Sequence, residues 1–466
     1  MIDLVDNSLD GAQRTVTARH VPALDTDAQP QGSVGDSGEV NAQGQRTDIG
    51  QPTLVVEQAP SEDLTGFRVE LTLNADELSV EDNCGGIPFE IARDYAFRFG
   101  RDPKAPPTAS SIGQFGVGMK RTIFKVGMRF SVRSTSSKSR FTMEQDVASW
   151  LSDAKNWNFD FAKLETELNI PEADTGTLLR VTELHPPVAD LFGRISFLNE
   201  LRDELEQAHA TSIQRGFVIS LNGVPIGIQE FKLLSSDRLA PAFIVLNIPP
   251  PDGKPHGVTV RIYAGLSAER SFEKGGWYVF CNGRQVLVAD QSSTTGWTVE
   301  MEAGTSDKDG DRVPKYHADF AYFRGFVFFD SKDASQLPWT TTKTGVDADS
   351  AVFRAARREM MRVMRPITRF LRDLAVETSE EEQGVIAERP LNEALTMAQS
   401  VNYAEVNTQS GFVAPSRNIR TKRDTVKVQY TLARDRLERA KERLNALSAK
   451  QVGEQTFDYF YAAECE

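Results

Sequence analysis

The chain opens with apolar residues at helical spacing, which predicts an amphipathic helix over residues 1–12. The polar face of this helix carries Asp3, Asn7 and Asp10 at positions i, i+4 and i+7, so the three side chains point the same way. An amide carbonyl beside carboxylates suits a hard cation such as Mg²⁺. A solvated polar face explains the same pattern, and the helix alone does not decide between the two.

Alternating apolar and polar residues predict strands in two parts of the chain. In the first part the predicted strands are "GFRVELTL", "ELSVEDN", 128–134, 140–146 and "GTLLRVTEL". In the second part, "FVISLNGVPIGI" and "GWYVFCNGRQVLVAD" each place Asn-Gly between apolar runs, which is a strong hairpin signal. Further strands are predicted at "VTVRIYAGL" and "FRGFVFFD", and long helices at 193–214 and 350–374. A chain of 466 residues suits two or three domains of this kind.

Several segments show neither pattern. Residues 23–52 are rich in Gly, Gln, Asp and Pro, which predicts a flexible surface insertion. Residues 87–112 are predicted to form a mobile loop with a short helix. The segment "ETSEEEQG" is interpreted as an acidic linker, and residues 425–450 as a charged helix.

Composition narrows the class of protein. No apolar run approaches the ~20 residues that a membrane helix needs, and no signal-peptide pattern opens the chain. The three cysteines form neither a metal-ligand spacing nor a disulfide framework, so a reducing cytoplasm is the predicted location. A net charge of −13 argues against a surface covered with nucleic-acid contacts, but it allows a local basic patch.

A second candidate site element is "VEDNCGGIP". Asp82 ends a predicted strand, which would fix its carboxylate, and Gly85 and Gly86 let the backbone turn close to a ligand. Thr177 stands just before a buried strand and offers a hydroxyl to the edge of a base. An ordinary Asp/Gly turn and a strand-start threonine are the alternatives, and taken singly they are the commoner ones.

A third element is the glycine-rich segment "IGQFGVGMKRTIFKVG". Gly113, Gly116 and Gly118 precede a predicted helix, whose free amides and dipole can hold phosphates. Lys120 adds a cation at the same place. The segment is not a Walker loop, because no G-K-[ST] follows four residues after a glycine.

Four motifs occur in the order of the nucleotide motifs of the GHKL ATPases, the superfamily named for gyrase, heat-shock chaperone, histidine kinase and MutL. They are "DLVDNSLDGA", "EDNCGGI", "GQFGVGMK" and "GTLLRVTEL". This resemblance implies that Asn7 binds Mg²⁺, which bridges the phosphates of ATP. It implies that Asp82 accepts a hydrogen bond from the adenine amine, that Thr177 supports this contact through a water, and that Gly86 lets the adenine approach.

The same resemblance assigns the phosphate site and the lid. Gly113, Gly116 and Gly118 would wrap the phosphates, and residues 87–118 would form the ATP lid. The candidate catalytic base departs from the family pattern, because Asp3 stands where relatives have Glu. Relatives also carry residues before this helix that support it or cross to a partner subunit, so we expect either a start further upstream or a missing dimer arm.

The second half resembles the transducer domain of MORC- and MutL-like ATPases in its "GWYVFCNGRQVLVAD" hairpin. Downstream, "LPWTTTKTGVD" places Lys343 in a Thr-rich loop, where such proteins use a lysine to reach the γ-phosphate. A cation there would stabilise charge on the transferred phosphoryl group, and a surface lysine is the alternative. Arg284 is interpreted as structural. The chain has no phosphoacceptor-histidine helix before the ATP site, which excludes a histidine kinase.

Pattern and resemblance together predict an α/β (α+β two-layer sandwich) architecture. Residues 1–190 would form the GHKL nucleotide-binding domain, with a mixed sheet covered by helices on one face. Residues 191–375 would form a βαβ transducer domain with its connecting helix. Residues 376–466 would form the acidic linker and a helical C-terminal region.

The resemblance implies an ATP-hydrolysing, Mg²⁺-dependent clamp that acts as a homodimer and has no membrane partner. Two classes of cargo remain open. Basic helices at 352–373 and 416–450 favour DNA or RNA, although for 425–450 a solvated face with intrahelical ion pairs is the favoured explanation. The acidic total charge favours a protein client, as for the ninety-kilodalton heat-shock chaperone. An ATP-sensing regulatory subunit with little turnover is the third alternative, because of Asp3.

Overall fold

The structure of the protein is a computed structural model. It describes residues 1–20, 63–97, 111–112, 118–152, 159, 161–251, 254–297, 313–383, 386, 388–406, 408–417 and 428–465. The insertion predicted at 23–52 lies outside these ranges. The chain forms two compact units, Met1–Arg417 and Asn418–Glu466, and each is described by itself. The predicted boundaries at 190 and 375 both fall inside the first unit and stay predictions.

Eight strands of the first unit form one mixed sheet. They are β1 (Arg68–Leu73), β2 (Glu77–Asp82), β3 (Gly127–Thr135), β4 (Arg140–Asp146), β5 (Phe161–Glu165), β6 (Gly176–Leu184), β7 (Val218–Leu221) and β8 (Val224–Pro225). Their order across the sheet is β5-β4-β3-β6-β2-β1-β7-β8. All neighbours are antiparallel except β1 and β7, which are parallel. The strands predicted from alternation in this region are confirmed, because apolar side chains fill the buried side of each pleat.

Six helices of the described residues lie in the same part of the chain as this sheet. They are α1 (Ile2–His20), α2 (Phe89–Ile91), α3 (Gly118–Val126), α4 (Val147–Ser152), α5 (Pro186–Phe192) and α6 (Ile195–Gln214). The apolar face of α1 is buried and contacts α3 and α6, so α1 is held on both sides. The helix extends eight residues beyond the predicted end at residue 12, because Val16 continues the buried stripe at i+4.

The second sheet of this unit follows in the chain. The remaining strands are β9 (Lys232–Ser235), β10 (Ala242–Ile248), β11 (Val258–Leu266), β12 (Gly276–Cys281), β13 (Arg284–Asp290), β14 (Phe323–Asp330) and β15 (Gln399–Asn402). Five of them form a mixed sheet in the order β10-β11-β14-β12-β13, with β12 and β14 parallel, while β9 pairs with β15. The fold is therefore mixed α/β, with two large sheets and helices.

Both predicted Asn-Gly hairpins are confirmed. Asn222 and Gly223 join β7 to β8, and Asn282 and Gly283 join β12 to β13. All four residues have positive φ angles of 51°, 75°, 45° and 79°, as a type I′ turn requires at its two central positions. The second turn places Arg284 at the first position of β13.

The prediction of an acidic linker at "ETSEEEQG" is wrong for the first six residues of this segment. Helix α7 (Ala351–Glu382) continues through them, and α8 (Pro390–Met397) follows. Two acids of this segment make contacts with residues distant in sequence. The buried Glu377 carboxylate accepts hydrogen bonds from the backbone N–H groups of Leu391 and Asn392, which caps α8. Glu380 forms an ion pair with Arg417.

The charged helix predicted at 425–450 is wrong in its bounds, because residues 428–433 of the second unit are not helical and two helices follow them in the described residues. They are α9 (Arg434–Leu444) and α10 (Ala449–Glu464). Asn445 ends α9 in the left-handed region at φ 51°, and the Ser448 hydroxyl caps α10 by accepting from the Gln451 N–H. A turn signal thus interrupts the predicted helix.

Candidate functional site

An open cavity lies between α1 and the first sheet, with about 460 Å³ of space that includes open solvent at its mouth. Asn7, Ser8 and Arg14 line it from α1, and Asp82 and Thr177 line it from the adjacent ends of β2 and β6. The register pairs Asp82 with Thr177 because β2 and β6 are antiparallel neighbours. The structure therefore brings together three residues predicted from separate motifs, namely Asn7, Asp82 and Thr177.

The Asp82 carboxylate is oriented by three hydrogen bonds. Its Oδ1 accepts from the backbone N–H groups of Cys84 at 3.0 Å and Thr177 at 3.2 Å. Its Oδ2 accepts from the Ser8 hydroxyl at 2.7 Å. An ionised carboxylate offers about four acceptor positions, so one position on Oδ2 remains for a donor in the cavity. Burial raises the pKa of the Asp82 carboxyl, although these hydrogen bonds act in the opposite direction.

Gly86 is required by backbone packing as well as by its place in the cavity wall. Its φ is 68°, and a Cβ atom there would lie 2.1 Å from the carbonyl oxygen of Thr135. The family resemblance implies that this glycine lets adenine approach the backbone. The structure adds a second reason, since any side chain would clash with β3.

Thr177 is held by its hydroxyl as well as by its backbone. Its Oγ1 lies 3.2 Å from the Ser134 hydroxyl of β3, and Ser134 in turn accepts from the Ile87 N–H at 2.7 Å. This chain of contacts links the cavity to the first residues of the predicted lid at 87–118. Of that segment the structure describes 87–97, 111–112 and 118.

Asp3 and Lys343 are 340 positions apart in sequence and meet at one end of α1. The Lys343 ammonium lies 3.4 Å from Asp3 Oδ1, and the Asp3 side chain is 43% exposed. A Cβ atom on Gly118 would lie 2.7 Å from the Asp3 Cβ and 2.8 Å from its Oδ2. The glycine thus allows Asp3 to lie against the first residue of α3, where phosphates were predicted to bind.

Asp6 is the residue of this region that the sequence analysis missed. Its carboxylate is fully buried, and its Oδ2 accepts from the Lys343 ammonium at 2.7 Å. Arg284 Nε and His209 Nδ1 each lie 3.8 Å from its Oδ1. The positive charges of Arg284 and Lys343 lower the pKa of Asp6, although burial acts against them. The position of Asp6 within the apolar face of α1 is a sequence pattern that predicts oppositely charged partners, because a buried charge needs them.

The other polar residue of the predicted cation face has a different role. Asp10 is buried, and its carboxylate accepts from the Ser111 hydroxyl at 2.8 Å and from the Ile112 N–H at 2.7 Å. Asp10 therefore holds the far end of the predicted lid against α1. Asn7 is exposed in the cavity. No group of three His, Cys, Asp or Glu in the described residues could hold a metal ion by itself.

Lys120 lies in the first turn of α3 with its side chain buried. Burial lowers the pKa of Lys120 to about 8. The described lining of the cavity does not include it. Gly113 and Gly116 lie outside the described residues, so the structure places only Gly118 of the three predicted phosphate-binding glycines.

Residues 55–177 match the family described as Histidine kinase-, DNA gyrase B-, and HSP90-like ATPase. The match supports the GHKL superfamily. It spans β1 to the start of β6, so Asp82, Gly86 and Thr177 lie within the matched residues. Asp3, Asn7 and Lys343 lie outside it, and their roles rest on the motifs and the geometry. Comparison with curated proteins gave no match.

No helix in the described residues is both long enough and apolar enough to span a bilayer.

Proposed function

We propose that the cavity binds ATP and that the chain hydrolyses it. The Asp82 carboxylate is the observation on which this proposal rests. Three protein donors orient it, and one acceptor position on Oδ2 remains toward the cavity. A base with an exocyclic amine can donate there, as adenine does and guanine does not at the corresponding position. Thr177 and Gly86 border the same space.

The pair Asp3–Lys343 supplies the groups that hydrolysis needs. The Asp3 carboxylate would accept a proton from a water as the water oxygen attacks the γ-phosphorus and the bond to ADP breaks. The Lys343 ammonium, 3.4 Å from Asp3, would stabilise the negative charge on the transferred phosphoryl group. Asp3 is one methylene shorter than the family's Glu, so slow turnover is the expected consequence.

Asn7 fits a role as the protein ligand of Mg²⁺. The ion usually keeps several waters and takes one or two protein ligands together with substrate phosphates. The exposed Asn7 carbonyl in the cavity provides one such ligand, and a full protein cage is not needed. When bound with ATP, the ion neutralises phosphate charge.

Binding and turnover measured on the purified chain test this proposal. We expect ATP to bind in calorimetry and to be hydrolysed only with Mg²⁺ present. GTP should bind at least about tenfold more weakly, because it lacks the amine that Asp82 recognises. Binding without turnover would favour the ATP-sensing alternative. Absence of ATP binding would refute the proposal.

We further propose that nucleotide-driven pairing of two copies acts on nucleic acid, as in the MORC- and MutL-like proteins that the sequence resembles. The observation that favours this cargo is a stripe of arginines along α7. Its exposed members follow helical spacing on one face: Arg354, Arg358, Arg362, Arg369 and Arg372. Among the described residues, Glu359 pairs with Arg362, whereas Arg354, Arg358 and Arg369 form no ion pair. In α9, by contrast, Arg439 and Lys441 pair with acids of the same helix.

The double variant Arg358→Ala/Arg369→Ala tests this stripe. We expect weaker binding to a 30-base-pair DNA duplex, with the salt dependence of log K reduced by about two, since each phosphate contact contributes about −0.9 to the slope. The control is Arg194→Ala/Arg238→Ala, which removes two exposed arginines that are not part of α7. An equal change in the control, or no DNA binding by the wild type at low salt, would exclude the stripe and favour a protein client.

A further inference from the structure

Asp6 joins four separate elements of the first unit. It comes from α1, Lys343 from the loop before α7, Arg284 from the start of β13 and His209 from α6. The side chains of Asp6 and His209 are fully buried, and those of Arg284 and Lys343 are 7% exposed. Base recognition by Asp82 does not require this cluster, and neither does the proposed role of Asp3.

Among these four side chains, the buried carboxylate of Asp6 carries the only negative charge. Burial lowers the pKa of His209 to about 3, so the imidazole is neutral at pH 7. Two cations, Lys343 and Arg284, then face Asp6, and the half-exposed Asp3 is the second acid near Lys343. Without Asp6, the lysine would have no buried acid beside it. Its ammonium would then be free to turn toward solvent.

The backbone at Lys343 is also constrained. Its φ is 55°, in the left-handed region that few lysines adopt. The Lys343 N–H donates to the Thr340 carbonyl at 2.9 Å, and Trp339 bridges to Val346 across the loop. Such conformations persist where the surrounding structure determines them, and they are common at functional sites. The loop therefore fixes the Cα of the lysine, while a flexible four-carbon side chain separates it from the ammonium.

We propose that Asp6 is the positioning residue for Lys343, holding its ammonium beside Asp3 so that it can meet the γ-phosphate of bound ATP. This inference rests on the proposed role of Lys343. Asp6 itself does not touch the nucleotide, because it is buried and lies outside the described cavity lining. It adjoins Asn7 on α1, so the helix that lines the nucleotide cavity also places the lysine.

A purely structural role for Asp6 predicts a different result. If Asp6 only stabilised the fold, its loss would weaken the binding of ADP and ATP alike. A positioning role predicts a loss that is confined to the γ-phosphate, because only that group meets Lys343. The informative quantity is therefore the ratio of the Kd for ADP to the Kd for a non-hydrolysable ATP analogue.

Calorimetry on the full chain measures this ratio for wild type, Asp6→Asn, Lys343→Met and the double variant. We expect each single variant to lower it about tenfold, the size of one lost hydrogen bond to a charged group, with the ADP affinity unchanged. The double variant should lower it no further, because both changes remove the same contact. Asp330→Asn is the matched control, since it breaks the Asp330–Arg261 ion pair of the second sheet and should leave the ratio unchanged.

Three outcomes of the Asp6→Asn and Lys343→Met measurements would overturn the inference. Parallel weakening of both ligands by Asp6→Asn would indicate a structural role. An unchanged ratio in Asp6→Asn beside a lowered ratio in Lys343→Met would show that the lysine is positioned without Asp6. An unchanged ratio in Lys343→Met would show that Lys343 does not contact the γ-phosphate. ADP binding by the wild type would still support the nucleotide site.

Asp6→Asn leaves Arg284 and Lys343 without a fully buried carboxylate and can impair folding. Asp6→Glu is the second variant, because it keeps the charge and moves it by one methylene. The positioning role predicts a lowered ratio for Asp6→Glu at unchanged ADP affinity. A role of charge alone predicts a wild-type ratio, and that result would overturn the inference.

Discussion

Asp82→Asn is expected to weaken ATP binding by about 10–150-fold, which corresponds to the ~1.5–3 kcal/mol of a hydrogen bond to a charged group. Asparagine keeps one carbonyl oxygen, which can still accept from the N–H groups of Cys84 and Thr177. Its amide nitrogen then takes the place of Oδ2, where it donates instead of accepting. Two donors, the amide and the adenine amine, would face each other across the cavity.

The same substitution is expected to leave the fold intact. The amide can donate to the Ser8 hydroxyl, which accepts as readily as it donates. We therefore expect a melting temperature close to that of the wild type. Asp76→Asn serves as the control, since Asp76 is an exposed aspartate in the turn before β2. Wild-type ATP affinity in Asp82→Asn would show that Asp82 does not contact the base.

The parts of the fold that could be predicted from sequence are those with local causes. Strand alternation located β1, β2 and β6, and the two Asn-Gly pairs located their hairpins, because period and turn conformation depend on neighbouring residues. The break between α9 and α10 also has local causes, in Asn445 and Ser448. Those signals were present in the sequence but were outweighed by the helical charge pattern around them.

The end of α7 could not be predicted in this way. "ETSEEEQG" has the composition of a solvated linker, yet Glu377 is buried and caps α8, and Glu380 pairs with Arg417. Both contacts join residues that are 14 or more positions apart. The helix is therefore stabilised at its C-terminal end by tertiary packing, which no local pattern of charges reports.

The residues of the candidate site also differ in whether a local sequence pattern predicts them. The ordered motifs located Asp82, Thr177 and Asn7, which the structure brings to one cavity. The meeting of Asp3 with Lys343 was implied only by resemblance, since no local pattern joins α1 to a loop 340 residues away. Asp6 was missed because its three partners come from α6, β13 and that same loop.

Asp3→Asn is expected to lower the kcat for ATP hydrolysis by about 10²–10⁴-fold, the usual contribution of a general base. Asparagine occupies the same volume but cannot take a proton from the attacking water. ATP affinity should stay within about threefold of wild type, because Asp3 does not line the described part of the nucleotide cavity. Steady-state turnover and calorimetric binding, measured side by side, separate the two effects.

Asp3→Glu tests whether the short side chain of Asp3 limits its contact with the attacking water. It restores the family's longer side chain, which must be accommodated at the start of α3, where Asp3 already lies against Gly118. If the short aspartate limits turnover, Asp3→Glu should raise kcat, whereas Asp3→Asn lowers it. Asp203→Asn, an exposed acid of α6, is the control and should change neither constant. Equal turnover in all four proteins would mean that another group activates the water, and Asp3 would then serve only as a partner of Lys343.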